Sequence, residues 1–342
     1  MLGTALGDSL GLPMEGLSPQ RQKKLFPRLL RQGLVFGYGM VSDDTDHAFF
    51  VAQSLSAYAD DADRFQRRLA WCLRGWLLSL PTGIGFATLR SIVLLWLGVP
   101  PGRSAVFSAG NGPAMRAPVI GAFFGSQEQD LERFVGLSSS LTHRDPKAQI
   151  GALAVARMAA RLREEDPAAR PGWDWLRECL DDPRADAEWE EIISKIRGAV
   201  STEASVKDLA RSLGLDKGVS GYMYHTVPIA LYAVWRHWAN FSATLEAVVD
   251  AGGDTDTVGA IAGGLAGFLV GEEALPDPWL RKLWDPPRGV ATLRAAGCRL
   301  ADPPGQRSGP VRWPWPLLPI RHAIQLLVVL AHGVRRLAPP YG

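Results

Sequence analysis

The amino-acid sequence predicts an all-α protein, and three observations carry that prediction. Apolar residues recur at three- and four-residue spacing over several long stretches, the alternation that marks half-buried strands is essentially absent, and Pro/Gly clusters separate the periodic runs. The periodic runs are His47 to Tyr58, Phe65 to Leu80, Leu89 to Leu97, Ala148 to Leu162 and Thr226 to Trp238, all rich in the good helix formers Ala and Leu. The punctuation lies at Pro81-Thr82-Gly83, Val99 to Gly102, Pro171-Gly172 and Pro286-Pro287. The charged, Trp-containing stretch Glu164 to Glu191 reads as an insertion of short helices packed at the surface. Ala301 to Pro319, with Trp313-Pro314-Trp315-Pro316, reads as an extended linker to a final helix. The simplest architecture is one compact helical domain over residues 1–300, followed by a Pro/Trp-rich linker and an apolar helix over 301–342.

Composition narrows the function classes. With 47% apolar and 21% charged residues in 342, the chain has the balance of a globular protein rather than a disordered one. A formal net charge of +2 predicts no broad nucleic-acid-binding surface. Cys72, Cys179 and Cys298 are widely spaced, so no disulfide framework or zinc ribbon is expected; they read as small apolar residues in a reducing cytoplasm. The N-terminus lacks the basic and apolar regions of a secretory signal. Ala323 to Val334 is free of Lys and Arg but spans 12 residues, against the roughly 20 a bilayer crossing needs. It is expected to dock on the core; the other reading is a helix lying on a membrane surface, with Arg335 and Arg336 towards headgroups.

The chemistry gathers in Gly-rich segments with acidic residues: Gly7 to Glu15, Ser42-Asp43-Asp44-Thr45-Asp46, Gly110-Asn111-Gly112 through Met115-Arg116, and Gly252 to Thr257. The second and fourth each precede an apolar run, which places them at helix N-termini. One reading is capping, since Ser, Asp and Thr are preferred there. Yet one cap needs one residue, and Asp43-Asp44 and Asp254-x-Asp256 each supply two carboxylates. Paired carboxylates repel unless a cation intervenes or one is protonated. Facing each other, the two turns would bring together a charge of about −4, suited to two hard divalent ions roughly 3.5–4 Å apart. Asp8 and Asp46 read as supporting or capping residues. The Gly-Asn-Gly segment suits either a tight turn or close approach of backbone N–H groups to phosphate oxygens. Arg116 would pair with a phosphate or brace the loop.

These motifs, in this order from about Gly3 to about Gly271, resemble the ADP-ribosylglycohydrolase family, which includes enzymes that remove ADP-ribose from arginine or serine side chains and reactivate dinitrogenase reductase. The resemblance rests on GDxxGxxxE (Gly7 to Glu15), SDDT (Ser42 to Thr45), GNGxxMR (Gly110 to Arg116), Thr142-His143, Gly221-Tyr222 with Thr226 to Pro228, and GGDTDT (Gly252 to Thr257). It implies an all-α fold with two Mg²⁺ ions, or Mn²⁺, in a cleft. It also implies Ser42, Asp43, Asp44, Asp254, Asp256 and Thr257 as metal ligands, and Glu15 as the catalytic proton-transfer group. Ser108, Gly110, Asn111, Gly112, Met115, His143, Gly221 and Tyr222 are implied as substrate-binding residues for ADP-ribose. The implied reaction hydrolyses the bond between ADP-ribose and a modified protein side chain. A silent ADP-ribose-binding module and a hydrolase of a free ADP-ribosyl metabolite are the alternatives. Two departures stand out: Ser104 to Ala109 carries no acidic residue before Gly110, unlike some arginine-directed members, and only seven residues precede Asp8, fewer than the family's usual first helix.

Overall fold

The computed structural model describes residues 1–26, 30–303, 306 and 308–337. Among them it holds α-helices, short 3₁₀ turns and isolated β-bridges, and no strand. The chain opens with α1 (Leu2–Gly11), a 3₁₀ turn at Leu12–Met14 and α2 (Pro19–Leu25). The central helices follow as α3 (Asp43–Tyr58), α4 (Ala62–Leu78), α5 (Phe86–Trp96), α6 (Gly112–Phe124), α7 (Glu128–Ser139) and α8 (Pro146–Leu162). Beyond them lie α9 (Trp173–Leu180), α10 (Ala187–Ser201), α11 (Val206–Ser212), α12 (Met223–Arg236), α13 (Phe241–Asp250) and α14 (Thr255–Val270). The chain closes with α15 (Asp277–Arg281), α16 (Gly289–Ala301) and α17 (Leu318–Arg335).

The five runs read from periodicity fall within or overlap α3, α4, α5, α8 and α12, with ends shifted by a few residues. Their caps explain the starts: Ser42 accepts from the Asp44 amide at α3, Asp61 from Arg64 at α4, and Asp145 from Lys147 at α8. Helices such as α1 and α14 evade a periodicity search because they are apolar all round, the pattern of a helix enclosed on every side.

α1 and α14 form the centre. Gly3 and Gly7 on one face Gly259, Gly263 and Gly267 on the other, and Gly11 lies against the Thr255 carbonyl, so the two backbones touch. A Cβ placed on Gly7 would lie 1.8 Å from the Gly259 carbonyl oxygen, and one on Gly263 2.4 Å from the Gly3 oxygen. No side chain fits in that seam. This close pairing sets the turn after α1, with Glu15, beside the N-terminus of α14, with Asp254 and Asp256. α6 and α8 meet in the same way, Gly121 lying against the Ala156 backbone.

The Glu164–Glu191 stretch differs from its expected surface placement. Trp189 is fully buried, its indole N–H donating to the Leu180 carbonyl at 2.9 Å, and Trp175 and Cys179 are buried too. The charges that made this segment look peripheral lie on the outer faces of α9 and α10, while the large aromatic rings extend the core. The Pro/Trp-rich segment after Ala301 is tied down as well: Gln53 exchanges two hydrogen bonds with Val311, and Trp313 meets Phe49 edge-on at 5.4 Å.

Candidate active site

The first acidic turn opens α3. Ser42 is its N-cap, so Asp43 and Asp44 occupy the first helical turn, where the helix dipole favours negative charge. Asp8 of α1 holds this turn: its carboxylate accepts from the Ser42 amide (2.9 Å), the Thr45 amide (3.1 Å) and the Thr45 hydroxyl (2.6 Å). Asp8 therefore buttresses the turn, as its sequence context suggested. Burial pushes its carboxyl up to about 7 even though the Thr45 and Ser42 donors pull the other way.

The second turn opens α14. Gly252 and Gly253 both adopt positive φ, and Gly253 is sandwiched by hydrogen bonds. Its amide donates to the Leu17 carbonyl (2.8 Å), and its carbonyl accepts from Gly16 (2.7 Å). A Cβ on Gly253 would lie 1.9 Å from the Val219 oxygen. Three segments are thus pinned to one dipeptide, and Asp254, the N-cap of α14, projects beside Asp256 and Thr257.

The two turns face each other in direct contact. The Thr257 hydroxyl donates to Asp44 Oδ2 (3.2 Å), and Ser42 Oγ donates to the same oxygen at 3.0 Å. Asn111 Nδ2, at the N-terminus of α6, donates to Asp254 Oδ2 (2.6 Å) and to the Thr226 hydroxyl (2.9 Å). Asn111 thus orients an acidic side chain, a role its Gly-Asn-Gly context did not disclose. Burial raises Asp43, Asp44 and Asp256 well above the usual carboxylate range. Like charges add to it: Asp8, Asp46 and Glu15 for Asp43; Asp43, Asp8 and Asp254 for Asp44; Glu15, Asp254 and Asp44 for Asp256.

Two oxygens test whether this cluster suits a cation. Asp44 Oδ1 and Asp256 Oδ1 are buried and have no hydrogen-bond partner. An orphaned carboxylate oxygen in the interior is costly. Here two lie on turns that otherwise offer carboxylate and hydroxyl oxygens, the set that hard divalent ions prefer. Among the described residues no three carboxylate, imidazole or thiolate groups already ring a single point. The donors instead come from two opposed turns and include the Ser42 and Thr257 hydroxyls, so the residues fit divalent ions bridging those turns.

Glu15 follows the 3₁₀ turn after α1 and is open to solvent, although protein surrounds it on most sides. Burial and the Asp254 charge raise its carboxyl, and Arg336 opposes them. Residues 108–112 form a loop ending at the start of α6. Ser108 Oγ accepts from the Gly110 amide (3.3 Å), the Asn111 amide donates to the Gly221 carbonyl (3.0 Å), and the Met223 amide donates to Ala109 (2.8 Å). The glycines are required by His143: a Cβ on Gly110 would lie 2.9 Å from its Nε2, and one on Gly112 3.0 Å from its Cε1. His143 is buried. Its Nδ1 lies 2.8 Å from the Thr142 hydroxyl, which accepts from Arg116 at 2.8 Å and so has its own proton for the ring nitrogen. Burial and the Arg116 charge push His143 down to about 3, so the ring is neutral.

Of the two readings of Arg116, the structure shows bracing: it is fully buried and donates to the Ser138 carbonyl and the Thr142 hydroxyl. Met115, expected against a substrate, is 4% exposed in the apolar core, because it sits on the inner face of the first turn of α6. Gly221 lies beside Asn111 and Asp254, but Tyr222 points to the rim, where its hydroxyl accepts from Lys147 (3.0 Å) and donates to Glu188 (3.0 Å).

The sequence reading did not find the partners of Asp46. Its carboxylate pairs with Arg288, accepts from the Trp76 indole (2.7 Å), and lies 3.4 Å from His322 Nε2 and 3.7 Å from Arg321. Asp285 joins the cluster through Arg288 (3.0 Å) and Arg321 (2.8 Å). These groups come from α3, α4, α17 and the segment before α16, and no local spacing connects them. The one signal was Arg321-His322 interrupting an otherwise apolar segment.

Residues 1–307 match the family model described as ADP-ribosylglycohydrolase. An uncharacterised protein of Archaeoglobus fulgidus is 32% identical over 83% of this chain and 90% of its own length. The ADP-ribosyl-[dinitrogen reductase] glycohydrolase of Rhodospirillum rubrum is 27% identical over 82% of this chain and 88% of its own. ADP-ribosylhydrolase ARH3 of Gallus gallus is also 27% identical, over 82% and 86%. Among solved structures, an ADP-ribosylglycohydrolase-related protein complex superposes with a TM-score of 0.58 at 25% identity, covering 88% of this chain and 94% of that one. With its fold, its motif order and a match over most of its length in agreement, the chain belongs to the ADP-ribosylglycohydrolase family.

Proposed function

We propose that this protein hydrolyses the glycosidic bond between ADP-ribose and a modified protein side chain, using two divalent cations, Mg²⁺ or Mn²⁺, held by Ser42, Asp43, Asp44, Asp254, Asp256 and Thr257. The observation that carries the reading is the pair of opposed acidic turns, with orphaned oxygens on Asp44 and Asp256 and, among the described residues, no arginine or lysine among the main charges acting on them. When bound, such ions supply positive charge that orients ribose hydroxyls and eases ionisation of water.

The chain's own groups do the rest. Glu15, with its carboxyl raised, exchanges a proton at the scissile bond, where an oxocarbenium-like transition state is expected. The N-terminus of α6, a helix of 13 residues that starts at Gly112, offers a favourable dipole to the diphosphate, while the Gly110 and Asn111 amides, held by Ser108 and Gly221, fix the shape of the loop before it. Ser108 shapes that loop and the neutral His143 ring supports it from below. Gly221 leaves room beside Asp254, and Tyr222 borders the distal end of the ligand. Met115 and Arg116 act from beneath, holding α6 in place. Fixing the diphosphate positions the anomeric carbon over the acidic turns, which is how remote binding lowers the barrier.

Release of free ADP-ribose from arginine- and serine-ADP-ribosylated proteins, with Mg²⁺ and with a chelator, tests the proposal. Chelator-sensitive release from one substrate is expected, and it identifies the linkage. ADP-ribose binding without release from either would replace the hydrolase with a binding module. In Glu15→Gln, turnover is lost while ADP-ribose binding survives; full activity there removes Glu15 from the mechanism.

A further inference from the structure

Helix α17 lies beyond residues 1–307, the part of the chain that matches the family model, and it docks with its polar side inward. Arg321, His322 and Gln325 are buried, whereas Ile320, Ile324, Leu327, Leu330 and Val334 are exposed on the outer side. A helix added only to enlarge the core would bury its apolar face. What α17 turns inward instead are hydrogen-bond donors, and several of their acceptors are backbone carbonyls beside the proposed site.

Two peptide units receive them. The first joins Val41 to Ser42. Its carbonyl accepts from Arg321 Nη2 (2.5 Å) and Gln325 Nε2 (2.9 Å), and Gln325 Oε1 accepts in turn from Arg321 Nη1 (2.8 Å). Its N–H, at the other end of the same plane, donates to the Asp8 carboxylate (2.9 Å). The second unit joins Glu15 to Gly16. Its carbonyl accepts from Arg336 Nη1 (3.0 Å), and its N–H donates to the Gly253 carbonyl (2.7 Å), next to Asp254. Arg336 Nη2 donates to the Pro13 carbonyl at 2.6 Å, so the planar guanidinium spans two carbonyls of one turn. His332 Nε2 donates to the Pro13 oxygen as well, at 2.9 Å. Between the two grips, Val328 packs against the cluster of Leu12, Leu34 and Met40. A peptide unit is rigid and planar, so holding it at both ends leaves it little room to rotate. In each case the core holds the N–H end and α17 holds the carbonyl end.

We propose that α17 is a positioning element: Arg336 fixes the orientation of Glu15, and Arg321 with Gln325 fixes the entry to the Ser42–Asp44 turn. The inference rests on the proposed roles of Glu15 in proton transfer and of that turn in holding metal. Glu15 is open to solvent, so the backbone that carries it sets where its carboxylate sits. One continuous helix grips both units. It therefore sets the separation of the two turns as well as the orientation of each, the kind of control on which the rate of a positioned reaction depends.

Arg336→Met, Arg336→Lys and Gln325→Met in the full chain test this. The readouts are hydrogen exchange, melting temperature, Mg²⁺ binding, ADP-ribose binding and ADP-ribose release. In Arg336→Met, exchange should rise in the peptide covering residues 13–17 and stay unchanged in that covering residues 41–46. Its kcat should fall roughly tenfold or more, since a misplacement of about 1 Å can cost about 100-fold. ADP-ribose affinity and melting temperature should stay at wild-type values. Arg336→Lys keeps the charge and one donor but not the fork, and should recover part of the loss. Gln325→Met should show the opposite exchange pattern and bind Mg²⁺ roughly tenfold more weakly. Unchanged exchange at residues 13–17 or unchanged kcat in Arg336→Met, or unchanged Mg²⁺ binding in Gln325→Met, overturns the proposal. So does a fall in kcat that comes with a lower melting temperature and exchange raised throughout, since Arg336 then only stabilises the fold. If the wild type releases no ADP-ribose from any substrate, the hydrolase reading fails by itself. Exchange raised at one turn in each variant then still supports the positioning role, and exchange unchanged in both overturns it.

Discussion

Asp44 and Asp46 lie two residues apart in the first turn and a half of α3, both fully buried, and they do opposite things. Asp46 points into a cluster with Arg288, Arg321, His322 and the Trp76 indole. Burial alone would raise its carboxyl, but the two arginines overcome that and hold it far below the usual range. Asp44 meets Thr257 at the start of α14, burial and its carboxylate neighbours raise it, and one oxygen has no partner. A buried carboxylate neutralised by arginine belongs to the scaffold. A buried carboxylate left among other carboxylates is protonated or needs a cation, which is the feature the proposed metal site uses. The helical turn separates the two roles because neighbours at this spacing leave the helix on different faces.

The largest effect should come from the cleft. Asp256→Asn should lower turnover by more than about 100-fold, since changes in a metal's outer partners already cost 10–100-fold. The bound metal count should fall with it, and an unchanged count would remove Asp256 from the ligand set. On the scaffold side, Asp46→Asn leaves two buried arginines short of a partner and should cost about 3–5 kcal/mol in denaturant unfolding. A variant of unchanged stability would mean that Asp46 is no different from Asp44.

Saturating divalent cation should next stabilise the wild type by about 2.7 kcal/mol at a hundredfold excess over its Kd. It should do so far less in Asp256→Asn, as thermal melts would show. In chelator the sign reverses. A carboxyl whose folded pKa lies above its unfolded one destabilises the fold once pH exceeds the unfolded value, so Asp256→Asn should make the metal-free protein more stable by about 1 kcal/mol. Destabilisation there would show that Asp256 is a structural partner like Asp46.

The smallest effect is in pH dependence. The folded-state value of Asp46 is depressed, so its contribution is fully present above the unfolded value and is lost only as pH falls through the folded one. The Asp46 cluster should therefore contribute evenly between about pH 5 and 8 and weaken only below about 4. Comparing acid unfolding of the wild type with Asp46→Asn measures this; curves that diverge near neutrality would contradict it.

The sequence alone determined the all-α class, the Ser42 cap region that starts α3, and the placing of the acidic turns at helix N-termini. Each is written in a short window: 3.6-residue periodicity, a Ser or Asp before an apolar run, two carboxylates where one cap suffices. Tertiary structure decided the rest, because it depends on groups far apart in the chain. Asn111 orients Asp254 across 143 positions, and Arg321 reaches Val41 across 280. The glycines of α1 and α14 acquire meaning only when the two helices are found in contact. Trp189 turned inward despite its charged neighbours, because burial is decided by the face a residue occupies rather than by the composition around it. The final segment is the clearest case. Its apolar composition was plain, but which face it would bury was not, and only packing against Asp285 and Val41 turned the polar stripe in and left the apolar face outside.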